Sequence, residues 1–168
     1  MRPQRATAPV TEAEHGLTRG VTTRYRSLEQ YPPFSSVATQ ITTVAGFTSG
    51  DDTISTDLLK DFYVDGLAGD DNITLTEAAD TFTVKGSSGE DLVTADGNVG
   101  NGAFLKGGAA DDTFIFSGAV DGASIYGGKN ADSIYFARTV DGTVVSGDTG
   151  NDKFTFTDKV SEGSVITG

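Results

Sequence analysis

The chain has 168 residues, 36% of them hydrophobic, with 22 Gly, 4 Pro, no Cys and no Trp. That is enough for one domain, or one domain and an arm; it excludes a disulfide framework or a thiolate metal site, and no apolar run is long enough for a membrane span. The formal charge of −12 is split: residues 1–45 carry five Arg against three Glu, a net of +2, whereas residues 46–168 carry 21 acidic against 7 basic side chains, a net of −14, which repels nucleic acid and anionic membranes and favours cations.

Residues 1–45 follow no repeat. Thr11-Glu12-Ala13-Glu14 has capping-box spacing and predicts a single helical turn, stopped by Gly16 and Gly20. Tyr31-Pro32-Pro33-Phe34 is extended or turned, because the residue before a proline is pushed out of the α region. The Thr- and Val-rich run from Val37 to Val44 predicts a strand leading into the next segment. Such an arm has little core of its own and is expected to be disordered or ordered by what it docks on. Residues 1–30 hold no hydrophobic stretch of the kind a secretory leader needs.

From residue 46 onward a short acidic phrase recurs: G-D-D-T-I at 50–54, G-D-D-N-I at 69–73, G-E-D-L-V at 89–93, A-D-D-T-F at 110–114, N-A-D-S-I at 130–134 and G-N-D-K-F at 150–154. Its second acidic residues, Asp52, Asp71, Asp91, Asp112, Asp132 and Asp152, are 19, 20, 21, 20 and 20 residues apart. A fixed period near twenty marks a solenoid with one coil per repeat. Coils open at Gly46, Gly66, Gly86, Gly107, Gly127 and Gly147, and Gly168 stands where a seventh would begin.

After each acidic turn an alternating strand points Ile73 and Leu75, Val93 and Ala95, Phe114 and Phe116, Ile134 and Phe136, or Phe154 and Phe156 inward. A second strand before the next Gly points in Val64, Val84, Leu105, Ile125, Val145 and Ile166. The fold class expected is all-β: a parallel β-solenoid with two strands per coil, of β-helix or β-roll type. It spans residues 46–168 in about six coils and continues, or is capped by another chain, beyond Gly168; residues 1–45 form an irregular docking arm.

The turns resemble the haemolysin-type calcium-binding nonapeptide of RTX proteins, G-G-x-G-x-D-x-(apolar)-x. Residues 66–74 match at Gly66, Gly69, Asp71 and Ile73; residues 86–94 at Gly86, Gly89, Asp91 and Val93; residues 147–155 at Gly147, Gly150, Asp152 and Phe154. The turns opening at Gly107 and Gly127 keep both leading glycines but put Ala110 and Asn130 at the fourth position. The resemblance implies Ca²⁺ ligation by Asp71, Asp91, Asp112, Asp132 and Asp152, with Asp52 a weaker member because Phe47 lengthens its turn. Oxygen-rich turns on a glycine backbone suit a hard cation. The family repeats every nine residues, however, whereas here the matching turn recurs every twenty and the opposite turns, such as V-D-G-A-S-I at 120–125, lack the pattern. The alternative reading is that the aspartates only close turns through backbone N–H groups, with no ion.

Enzyme signals are weak. G-D-D alone resembles a two-carboxylate Mg²⁺ site, but its recurrence at 50–52 and 69–71 makes it part of the repeat. Carboxylates repeated at every coil lack the local exception that an active site makes. His15, the single histidine, lies in the arm far from any carboxylate cluster. Outward Tyr126 and Tyr135 offer a small patch for glycan or protein contact. The expected function is therefore structural or adhesive, not enzymatic: an oligomeric phage virion component such as a tail-fibre or decoration protein, anchored to other assembly proteins through residues 1–45. A glycan or cell-surface receptor is an expected partner; nucleic acid and membrane insertion are not. The alternative is a secreted or cell-surface RTX-like calcium-binding adhesin or surface-layer protein.

Overall fold

The structure, a computed structural model, describes residues 21–23, 42–44, 47–56, 61–77 and 80–168. In chain order the strands are β1 (Val21–Thr23), β2 (Thr42–Val44), β3 (Thr53–Thr56), β4 (Phe62–Asp65), β5 (Asn72–Leu75), β6 (Thr83–Ser88), β7 (Leu92–Ala95), β8 (Phe104–Ala109), β9 (Thr113–Phe116), β10 (Val120–Asp121), β11 (Ser124–Lys129), β12 (Ser133–Phe136), β13 (Val140–Asp141), β14 (Val144–Thr149), β15 (Lys153–Phe156) and β16 (Val165–Thr167). Among the described residues there is no helix. The expected helical turn at Thr11–Glu14 and the Tyr31–Phe34 segment lie outside them.

Alternate strands stack on alternate sides of the coil. One sheet runs β1-β2-β4-β6-β8-β11-β14-β16 and the other β3-β5-β7-β9-β12-β15. Apart from the antiparallel β1–β2 pair, all pairs are parallel and stay in register, as in Ile73↔Val93↔Phe114↔Ile134↔Phe154 and Val64↔Val84↔Leu105↔Ile125↔Val145↔Ile166. This is the expected parallel β-solenoid. A period of two residues per pleat keeps each apolar ladder inside, because a slip of one would turn the whole ladder outward.

The core is a set of such ladders. Ile73, Val93, Phe114 and Ile134 and their partners Leu75, Ala95, Phe116 and Phe136 are buried, as are Val64, Val84, Leu105, Ile125 and Val145. Phe116, Phe136 and Phe156 stack nearly parallel with centroids 5.0 and 4.9 Å apart, close to the strand spacing that the backbone imposes. Phe154, Phe156 and Ile166, in the last described coil, are only partly buried.

Two features add to the expected plan. The opposite turn contains a third ladder: β10 pairs with β13, and Val99↔Val120 and Val140↔Val160 are bridged, with Val99, Val120 and Val140 buried. Where Phe62 and Phe82 fill one corner of the early coils, later coils have Ala103, Ala123 and Thr143 buried there, so the bulk of Val99, Val120 and Val140 moves to the other corner. The second feature is in the arm: β2 falls within the expected Val37–Val44 strand and pairs with β4, and β1 adds antiparallel to β2, covering that edge of the parallel sheet.

Candidate functional site

Each acidic turn is a six-residue corner with one repeated backbone shape. Its second and fourth residues are left-handed at the five turns that open at Gly66, Gly86, Gly107, Gly127 and Gly147: Leu67 and Gly69 (φ 75° and 107°), Ser87 and Gly89 (85° and 123°), Gly108 and Ala110 (130° and 93°), Gly128 and Asn130 (130° and 77°), Asp148 and Gly150 (67° and 153°). Glycine is favoured there because an L side chain loses about 1–2 kcal/mol in that region. Ala110 and Leu67 therefore sit in a conformation that has a cost.

The opening glycine is required for a different reason. A Cβ on Gly66, Gly86, Gly107, Gly127 or Gly147 would collide with Oδ2 of the aspartate five residues on, Asp71, Asp91, Asp112, Asp132 or Asp152 respectively. At Gly66, Gly86 and Gly107 it would also meet the carbonyl oxygen of the next coil's glycine, at 2.6, 2.8 and 2.6 Å. The aspartate is thus folded back across its own turn, and its carboxylate occupies the space a side chain would need.

The five carboxylates form a column. The Asp52 amide N–H donates to Asp71 Oδ1 at 2.9 Å, Asp71 N–H to Asp91 Oδ1 at 2.9 Å, Asp91 N–H to Asp112 Oδ1 at 2.9 Å, Asp112 N–H to Asp132 Oδ1 at 2.8 Å and Asp132 N–H to Asp152 Oδ1 at 3.0 Å. Each bond crosses from one coil to the next. The other oxygen, Oδ2, of Asp71, Asp91, Asp112, Asp132 and Asp152 is buried and has no hydrogen-bond partner among the described residues. Asp112 and Asp132 are 1% exposed, Asp71 and Asp91 2%. Burying a carboxylate with one oxygen unsatisfied is expensive, so this column is the chemically unusual feature of the molecule.

Burial, the largest effect, raises the proton affinity of Asp71, Asp91, Asp112 and Asp132, and the neighbouring carboxylates add to it against the opposing pull of the amide hydrogen bonds. Asp112 is pushed up to about 7, Asp91 and Asp132 to about 6, and Asp71 is raised as well. Carboxylates stacked at the strand spacing of about 4.8 Å repel by roughly 0.9 kcal/mol per neighbouring pair in water and roughly 3 kcal/mol at an effective dielectric of about 20. The column needs protons or a cation to relieve it.

Asp52 is arranged differently. It is half-buried, and its Oδ2 accepts from the Thr48 N–H at 2.6 Å and the Thr48 hydroxyl at 3.1 Å, so it closes its own longer turn. The structure therefore joins five of the six sequence-predicted aspartates in one column and leaves Asp52 at its end, contributing an amide N–H to Asp71 while its own Oδ2 is taken up by Thr48.

A second ladder was not apparent from the sequence. Asp51 Oδ1 accepts from Asp70 N–H at 3.0 Å, Asp70 Oδ1 from Glu90 N–H at 2.8 Å, and Asp111 Oδ1 from Ala131 N–H at 3.0 Å. These exposed residues precede the buried ones, and their bonds run in the opposite sense along the stack. The Asp-Asp pairs at 70–71 and 111–112 were the available signal: the second carboxylate reaches back one coil and the first reaches forward.

The donor set agrees in kind with a hard cation, because each Oδ2 lies beside a glycine carbonyl of the adjacent coil at the first three of these turns. Among the described residues no three acidic or histidine side chains converge on one point, so a bound ion would take most of its ligands from backbone carbonyls. Tyr126 and Tyr135 do not share a patch: Tyr126 is on β11, where it packs against Phe104, and Tyr135 is on β12 of the other sheet.

The fold and the column define the class as a parallel β-solenoid repeat protein with carboxylate-pinned turns. Beyond that class, no family model, curated protein or solved structure matches the chain, and the likeness to the RTX nonapeptide rests on the turn residues themselves.

Proposed function

We propose that this protein is a structural rod of a larger assembly, an oligomeric virion component of tail-fibre or decoration type attached to its neighbours through residues 1–45, and that it is not an enzyme. The observation carrying this reading is the uninterrupted register of both long sheets, along which the carboxylate bond between neighbouring coils recurs from Asp71 to Asp152. Chemistry repeated at five successive turns serves stiffness and length, whereas a catalytic site is a local exception. The test is to probe purified particles and the soluble fraction of the source with antibodies against residues 46–168. Regular labelling of particles supports the reading; labelling confined to cell surfaces or culture fluid contradicts it.

A second reading, a secreted or cell-surface calcium-binding adhesin or surface-layer protein, is favoured by one observation: the five open Oδ2 atoms. Asp71, Asp91, Asp112, Asp132 and Asp152 would hold Ca²⁺ together with turn carbonyls, and the ion would neutralise the column. Isothermal titration of the full chain with Ca²⁺, against an EGTA control, tests it. Heat with a raised melting temperature supports calcium; neither at millimolar Ca²⁺ removes it.

A further inference from the structure

We propose that the concave strip crossing β6, β8 and β11 binds an acidic saccharide, a glycan unit bearing a carboxylate or a sulfate. This site lies on the outer face of the long sheet, away from the acidic column, and does not depend on whether the rod belongs to a particle.

Charge is the first observation. In the parallel register Lys85 lies opposite Lys106, and Lys129 lies opposite Ala109 one strand further on. These three lysines line one concavity of ≈ 350 Å³, with Ser87 and the Gly107-Gly108 turn as its floor. The described part of the solenoid has six basic side chains, Lys85, Lys106, Lys129, Arg138, Lys153 and Lys159, so half of them converge here, on a body whose acidic residues outnumber basic ones by 21 to 7. Asp65, the carboxylate that precedes Lys85 in the same outward row, is already engaged by the Tyr63 hydroxyl at 2.7 Å, the Ser87 hydroxyl at 2.8 Å and the Leu67 N–H at 3.2 Å. The Lys85 ammonium lies over the Tyr63 ring, 5.4 Å from its centroid, and beside Asp65 in the register, so Lys106 and Lys129 are the two ammonium groups of the concavity that an anion would meet.

The second observation is aromatic. Tyr126 is opposite Lys106, and its ring is 5.5 Å from that of Phe104, tilted by 38°. Both rings are outward and half-buried, so their faces are held in place by the sheet. The Tyr126 ring, apolar on its face and polar at its hydroxyl, is next to Lys106 in the register, and this pairing matches a ligand that has one flat apolar side and one or two negative charges. The net charge of −14 over residues 46–168 selects against long polyanions such as nucleic acid. A short saccharide acid has both required properties.

The test is heteronuclear NMR titration of the full chain with a glucuronate-containing disaccharide and a sulfated disaccharide, alongside a neutral glucose disaccharide and inorganic phosphate. At least one acidic disaccharide is expected to shift the amide signals of Lys85, Lys106 and Gly108, and to bind at least tenfold more tightly than the neutral one. Lys106→Glu should weaken that binding at least tenfold and Tyr126→Ala about fivefold or more, while Lys159→Glu, outside the concavity, leaves it unchanged. Lys106→Gln serves as a milder variant should the charge reversal disturb the sheet. The proposal is overturned if neither acidic disaccharide binds, if Lys106→Glu and Lys106→Gln bind as well as the parent, or if phosphate binds equally well and Tyr126→Ala has no effect.

Discussion

Replacing Asp112 with Asn separates the two roles of the column. Asp112 is 1% exposed, its Oδ1 accepts the Asp91 N–H at 2.9 Å, and its Oδ2 has no partner. Asn keeps the acceptor and puts an N–H₂ donor in place of Oδ2, but it carries no charge. Burial raises the Asp112 carboxyl from 3.8 to about 7, so the folded chain retains a proton that the unfolded chain gives up between these values. Stability therefore falls as pH rises through that window, with no penalty below about pH 4 and the full penalty above about pH 7. Three pK units amount to about 4 kcal/mol as a ceiling, which sharing of protons among neighbouring carboxyls reduces. In chelator at pH 8, urea unfolding should find Asp112→Asn more stable than the parent by about 2–4 kcal/mol, and at pH 4 by less than about 1. Asp112→Ala, which also leaves the Asp91 N–H without an acceptor, should lie about 1–3 kcal/mol below Asp112→Asn at both pH values. If Asn destabilises at pH 8 as much as Ala does, the carboxylate is not a buried charge and the reasoning fails.

Three further substitutions test the turn and the core. Gly107→Ala sets a Cβ against Asp112 Oδ2 and the Gly127 carbonyl, and should lower stability by about 2 kcal/mol or more in the same assay; a neutral outcome would mean that the turn is looser than described. Ala110→Gly relieves a residue at φ 93° and should raise stability by about 1 kcal/mol, read as a higher melting temperature. Phe136→Ala removes the ring between Phe116 and Phe156 and should cost about 3–5 kcal/mol in the same urea assay; a loss below about 1 kcal/mol would contradict the packing.

The rod was legible in the sequence because its determinants are local and periodic. Alternation at Ile73 and Leu75 or Phe114 and Phe116 specifies an inward face, and the twenty-residue spacing specifies the stack. The third ladder through Val99, Val120 and Val140 was hidden, since V-D-G at 120–122 and 140–142 has turn composition, and only the position of the neighbouring coil shows that its valine points inward. The direction of the aspartates was not legible either. A carboxylate in a polar turn is ordinarily solvated, and what draws Asp91 and Asp112 inside is a backbone N–H twenty or so residues away. The opening glycine of the turn could be recognised as a motif, but its reason, room for the Asp carboxylate rather than a left-handed φ, required the geometry. Tyr126 belongs with Phe104, not Tyr135, because consecutive strands of one coil lie in different sheets.

The most direct test of a buried and open carboxylate column is a carbon-13 NMR pH titration of the Asp side-chain carboxyls in EGTA. Asp112 is predicted to titrate near 7, and Asp91 and Asp132 near 6. Titration of all three near the ordinary 3.8 would contradict the column.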